Sequence, residues 1–133
     1  MKKILLLLLA TCCLAQYACK KGDDDKPRTS TLSAKINGAG FTAENVSVTN
    51  YSGYQIIKGS RTGSNESITI ISSDTSSVDA MGIYSPNGTA ADSSQNFSLT
   101  TVTSPSGNSA EGEFDFITSD SVVITEGVYT IYW

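Results

Sequence analysis

Glu111, Glu113 and Asp115 alternate along one stretch of this 133-residue chain. Alternation puts all three carboxylates on one side of an extended backbone. Two carboxylates roughly 5–9.5 Å apart are what acid–base cleavage of a glycosidic bond needs. A solvated sheet face produces the same spacing, and no apolar stretch around these three gives one acid a reason to hold its proton. A carboxylate-dependent hydrolase is therefore the least favoured reading, and no catalytic residue is assigned. Histidine is absent, and the three cysteines, Cys12, Cys13 and Cys19, all fall at or before position 19. Triads built on imidazole or an internal thiolate are excluded. Ser–Lys catalysis needs a desolvated lysine, whereas Lys35 and Lys58 fall at strand positions that face solvent. Gly38-Ala39-Gly40 contains a G-x-G, but no helical pattern follows, so it reads as a hairpin turn and not a phosphate loop. Asp23-Asp24-Asp25 lies in a tether without the shaped loop that brings six to eight oxygens onto a calcium ion. Neither a metal nor a cofactor is expected.

Aromatic side chains offer a different chemistry, stacking on sugar rings. The pool is Tyr51, Tyr54, Tyr84, Tyr129, Tyr132 and Trp133. Aromatics in strands mostly serve the core or cross-strand pairs. Tyr51, in the turn Asn50-Tyr51-Ser52-Gly53, is the one expected to stand exposed, and it is the candidate ligand-binding residue. Nucleic acid is an unsuitable partner. Seven basic and 13 acidic residues follow position 18, a net of −6, and that surface repels phosphate. Five Asn-x-Ser/Thr triplets begin at Asn45, Asn50, Asn65, Asn87 and Asn96. They are expected by chance in a chain so rich in Ser and Thr.

The elements that must position these residues follow from composition. After residue 18 there are 10 Ile, 7 Val and 14 Thr against only Leu32 and Leu99. That balance disfavours helices and favours short strands joined by polar turns. The beginning of the chain differs. Lys2 and Lys3 precede an apolar run from Ile4 to Ala15, about a dozen residues where a membrane-spanning helix needs roughly 20. A basic start and a short apolar run describe a secretory signal peptide over residues 1–18.

Gln16-Tyr17-Ala18-Cys19 resembles a bacterial lipoprotein processing box, with Leu9-Ala10-Thr11-Cys12 as the alternative. Cys19 is favoured because Ala18 is the better residue before the cut and Cys12 leaves too short an apolar run. The resemblance implies a diacylglycerol on the Cys19 sulfur and an acyl chain on its amino terminus. At roughly 0.8 kcal/mol per buried methylene, two or more chains hold a protein on a membrane. Residues 19–31 then form a flexible acidic tether. Its Lys20-Lys21-Gly22-Asp23-Asp24-Asp25 resembles the sorting signal behind the lipidated cysteine of surface-exported Bacteroidetes lipoproteins. With the signal removed and Cys19 lipidated, no thiol is left for a disulfide.

From Leu32 onward the period is two. Strands are expected at 32–37, from Phe41, around Val46 and Val48, at 54–58, 67–71, 80–84, 97–103, 113–118, 122–125 and 128–133. Arg61 to Glu66 joins two of them as a hairpin. Ser119-Asp120 reads as a tight turn, and Glu126-Gly127 as a turn or as a bulge in one long strand. The final segment is apolar on both faces and belongs inside a sheet. The expectation is an all-β domain over 32–133, an antiparallel β-sandwich or flattened barrel of about eight or nine strands. Its expected core is Phe41, Ile56, Ile68, Ile70, Phe97, Leu99, Phe114, Phe116, Ile124 and Ile131. At roughly 1.5–3 kcal/mol per buried large side chain, this is enough for a small domain with little to spare.

Three stretches carry a wider resemblance: Leu32-Ser33-Ala34-Lys35-Ile36-Asn37-Gly38 with Phe41-Thr42-Ala43; Glu111-Gly112-Glu113-Phe114-Asp115-Phe116; and residues 123–131. Together they resemble a family of small Bacteroidetes lipoproteins with a single all-β domain of unassigned function. The resemblance implies an anchored β domain and brings no catalytic residues. Asp120-Ser121-Val122 also resembles a short O-glycosylation motif of exported proteins from that phylum, although a turn accounts for it. The expected protein is therefore an outer-membrane, surface-facing lipoprotein whose non-enzymatic domain binds a glycan or an envelope protein. The alternative is an accessory subunit of an outer-membrane complex.

Overall fold

The computed structural model describes residues 27–73, 80–88, 94–103 and 107–133. The expected signal peptide, Cys19 and the acidic part of the tether lie outside the described residues. Nine strands follow in order: β1 (Thr31–Ile36), β2 (Ala39–Thr42), β3 (Asn45–Tyr51), β4 (Tyr54–Ser60), β5 (Ser67–Ser73), β6 (Met81–Ser85), β7 (Ser94–Thr103), β8 (Ser109–Thr118) and β9 (Val123–Tyr132). There is no helix among the described residues, so none there is long and apolar enough to cross a membrane. The strands form two antiparallel sheets, β2-β1-β9-β8-β7 and β3-β4-β5-β6. The architecture is the expected all-β sandwich.

Each strand shows why it forms. Along β8, Ala110, Phe114, Phe116 and Thr118 are buried while Glu111, Glu113, Asp115 and Ile117 are exposed, the alternation of a sheet with one wet face. β9 is flanked by β1 and β8, which gives the apolar final segment the interior place it needs. The sheets join where β2 runs into β3. The Ala43 amide donates to Leu32 in one sheet at 2.9 Å, and the next amide, Glu44, donates to Ser60 in the other at 2.9 Å. One extended segment thus closes that side of the sandwich, with successive amides paired into the two sheets.

Several boundaries differ from the sequence reading. The first turn is Asn37-Gly38, not Gly38-Ala39-Gly40. Asn37 and Gly38 have φ of 48° and 83°, and Ile36 pairs directly with Ala39. Asn-Gly is the pair best suited to two successive left-handed residues in a two-residue hairpin, so Ala39 and Gly40 already belong to the return strand. The ordered strand begins at Thr31, one residue earlier than expected. Of the two alternatives for Glu126-Gly127, the bulge holds: Val123–Tyr132 is one strand, β9, with Thr125 and Glu126 together opposite Asp115 and Glu126 at φ 50°.

The core comprises Leu32, Ala34, Phe41, Ile57, Ile68, Ile70, Tyr84, Ala110, Phe114, Phe116, Ile124, Tyr129 and Ile131. Ile57 takes the place expected for Ile56. Val48 pairs with Ile57 and Val46 with Gly59, so the odd-numbered positions of β4 face inward and Ile56 faces out. Phe97 and Leu99 are only partly buried against this core, because β7 is an edge strand. The sheets approach closely at Gly82. A Cβ there would stand 2.6 Å from the Phe116 ring, so the ring lies directly on the β6 backbone.

Candidate functional site

Tyr51 is the last residue of β3 and Tyr54 the first of β4, paired across the two-residue turn Ser52-Gly53. Their rings stack at 4.7 Å between centroids, with 13° between planes. Tyr51 is 50% and Tyr54 40% exposed, so each ring keeps one face that its partner does not cover. The sequence singled out Tyr51. The structure adds Tyr54, whose role was hidden because a residue at the start of a strand reads as a core or pairing aromatic.

The register fixes what shares this face. Thr49, Ile56, Ile71 and Met81 form the next outward rung of the four-stranded sheet, and Ser47, Lys58, Thr69 and Ile83 the one after it. Ile56, Ile71, Met81 and Ile83 are all half-buried and make an aliphatic band. The last rung is polar throughout: Asn45, Ser60, Ser67 and Ser85. This end opens into a concavity of about 740 Å³ whose lining also includes Lys58, Asn65 and Asn87. On its rim the Asn45 side-chain amide donates to Thr62 at 3.1 Å, and the Thr62 amide donates to the Glu44 carboxylate at 3.0 Å. Bonds from the Thr62 hydroxyl and amide hold the Glu44 carboxyl below the usual carboxylate range.

Arg61 backs this end of the sheet. Its guanidinium lies 4.7 Å from the Phe41 ring centroid. It donates to the carbonyls of Gly40 at 2.7 Å and Thr42 at 3.4 Å, and to Glu66 at 2.9 Å. The other Glu66 oxygen accepts the Tyr84 hydroxyl at 2.8 Å. Arg61 therefore ties β2 of one sheet to the β4–β5 hairpin of the other. Burial first, and then the bond to Glu66, push the Tyr84 phenol up to about 12. Along the chain Arg61 to Glu66 reads as a polar connection only. The signal for more was the opposite charges at the two ends of that loop.

Of the four cations among the described residues, three have side-chain partners. Lys35 pairs with Glu126 at 2.7 Å, Arg61 with Glu66 at 2.9 Å, and Arg28 lies over the Tyr132 ring at 5.7 Å. Lys58 has no such partner. Lys35 and Lys58 are both exposed, as the sequence implied.

Glu111, Glu113 and Asp115 do share one face, the exposed outside of the five-stranded sheet. Asp115 accepts the Glu126 amide at 2.8 Å and so caps the β9 bulge. Beside it, a wide groove of about 800 Å³ crosses β7, β8 and β9, with Asn96, Ile117 and Val123 in its lining. Among the described residues no group of three or more His, Cys, Asp or Glu is placed to hold a metal ion. Ser121 of the Asp120-Ser121-Val122 stretch is exposed in a left-handed turn, φ 69°. No family model, curated protein or solved structure matches this chain.

Proposed function

We propose that the chain is a lipid-anchored cell-envelope protein whose β domain is a non-enzymatic binding module. Its ligand surface is the outer face of the four-stranded sheet, and its ligand is a saccharide. The observation that carries this reading is the exposed Tyr51–Tyr54 stack at one end of this face, with an aliphatic band next to it and an amide- and hydroxyl-lined concavity at the far end. Sugar rings present C–H groups on their faces and hydroxyls on their edges. Aromatic and aliphatic side chains take the former, and Asn and Ser take the latter. The anchor is Cys19, supported by the short basic-apolar start of the chain and the processing box around it. Outer-membrane, surface-facing placement follows from the resemblance of residues 20–25 to a sorting signal.

Saturable binding on a glycan array, lost in Tyr51→Ala and in Tyr54→Ala with folding intact, is the expected result. Uniform absence of binding across neutral and acidic glycans counts against the reading. The half-buried Ile56, Ile71, Met81 and Ile83 support a second reading, an accessory subunit that docks this face on an outer-membrane complex. Copurification with such a complex, abolished by Ile71→Lys, distinguishes it.

A further inference from the structure

We infer that the ligand is an acidic oligosaccharide at least four units long, with a carboxylate or sulfate against Lys58. This rests on the proposal that the outer face of the four-stranded sheet is a saccharide site, and it adds length and charge to it.

Length comes from strand geometry. Tyr54 and Ser60 both face outward on β4, six residues apart, which at about 3.3 Å per residue is about 20 Å, or about four linked hexoses. The two ends offer different chemistry. The tyrosine stack supplies an apolar platform, with Ser73 beside Tyr54 on the same rung. The far concavity supplies hydrogen-bonding groups: the hydroxyls of Ser60 and Ser85 and the amides of Asn65 and Asn87, none of which has a side-chain partner, while Ser67 between them is buried. A short ligand engages one end or the other, whereas a longer one uses both and gains the effective concentration of a linked pair.

Charge comes from Lys58. It stands on the same face, two residues before Ser60, and alone among the described cations it has no partner. The carboxylates of Glu44 and Glu66 at this end of the sheet are already engaged, Glu44 by Thr62 and Glu66 by Arg61 and Tyr84. Among the described residues no carboxylate lines the concavity, although the whole chain carries −4. The other face differs, with Glu111, Glu113, Asp115 and Glu126 exposed on it. An acidic ligand is repelled by that face and finds an unneutralised ammonium on this one. An ammonium with adjacent hydroxyl and amide groups is the donor set for a carboxylated or sulfated sugar, because charge-assisted bonds are the strong ones.

The test is calorimetric titration of the full chain in detergent. The probes are tetragalacturonate, digalacturonate, a heparin tetrasaccharide and neutral maltotetraose. The expected result is that an acidic tetramer binds at least tenfold more tightly than the dimer and than the neutral tetramer. The two acidic tetramers report whether carboxylate or sulfate is preferred. Lys58→Gln should reduce acidic-tetramer affinity about tenfold and leave neutral-tetramer affinity unchanged, and Asn87→Asp should act in the same direction. Equal weakening of neutral and acidic ligands by Lys58→Gln overturns the charge assignment. A dimer that binds as well as the tetramer overturns the length. Binding that is confined to neutral ligands but still depends on Tyr51 leaves the saccharide reading standing and removes this one. Failure of all four probes removes this inference, and the glycan array decides the saccharide reading separately.

Discussion

Gly127 lies directly across the ladder from Phe114, and a methyl group on its Cα would stand 2.4 Å from the Phe114 carbonyl oxygen and 2.5 Å from its ring. One rung pattern further along, Gly112 lies opposite Tyr129 in the same relation, with the added atom 2.3 Å from the Tyr129 ring. The two rings stack at 6.4 Å. Each bare backbone is covered by the aromatic side chain of its neighbour, so ring and glycine together fill one layer.

Substituting either glycine should therefore overpack the core. Gly127→Ala is expected to cost about 2–3 kcal/mol, at the upper end for an inserted methyl, because the backbone oxygen cannot move aside. Gly40→Ala has open space around it and should change stability by less than about 0.5 kcal/mol. Urea denaturation of both variants checks the contrast, and equal effects would contradict it.

Arg61 joins the two sheets by fixed-direction bonds that a lysine cannot reproduce. The pair is partly screened, with side-chain exposures of 33% and 16% for Arg61 and Glu66. That places the loss below the full cost of breaking a buried pair, at about 1–3 kcal/mol for Arg61→Ala. Arg61→Lys should recover less than half of this in the same denaturation experiment.

Alkali should destabilise the domain in a defined window. Tyr84 is pushed up to about 12 from 10 in the folded chain, and Tyr129 is raised by burial as well. Below pH 10 neither state loses the proton, so this contribution is fully present. From about 10 to about 12 the unfolded chain ionises first and stability falls. The urea midpoint should hold to about pH 10 and then decline, and Tyr84→Phe should remove part of the decline. A midpoint that stays level through pH 12 would count against the assignment.

The Tyr51–Tyr54 stack stands on the surface, where an aromatic pair contributes about 0.5–1.5 kcal/mol. Tyr51→Ala should therefore lower stability by less than about 1.5 kcal/mol and keep the circular dichroism of a β protein. A much larger loss would mean that the pair serves folding of the β3–β4 hairpin more than binding.

Cys19→Ser should abolish fatty-acid labelling and release the chain from the membrane fraction. Labelling retained at the parent level would move the anchor to another cysteine, with Cys12 the first to examine.

The sheet class was legible in the sequence because β-branched residues and period-two alternation act locally, and β8 is the clearest case. Tyr51 was legible as exposed because it adjoins a turn. Ile56 and Ile57 were not separable, since a run of two isoleucines fits either register and only pairing with Val46 and Val48 decides which one enters the core. The concavity was illegible for a different reason. Asn45, Asn65 and Asn87 come from separate segments and read along the chain as chance triplets. Only pairing among β3, β4, β5 and β6 brings them to one end of one face. The Arg61 bridge is likewise a product of topology, because its partners on β2 lie about twenty positions away.

The amino-terminal strand enters the five-stranded sheet between β2 and β9. Just before it, Ser30 accepts the Tyr132 amide at 3.1 Å and Arg28 covers the Tyr132 ring. A domain tied down through its leading end feels any tug along the length of β1. Antiparallel bonds run crosswise to the strands, so the rungs on both flanks share that load together in shear and are not unzipped singly. In the proposed anchored protein, a polymer gripped on the opposite sheet would load β1 in this shear geometry and would not peel it from the sheet.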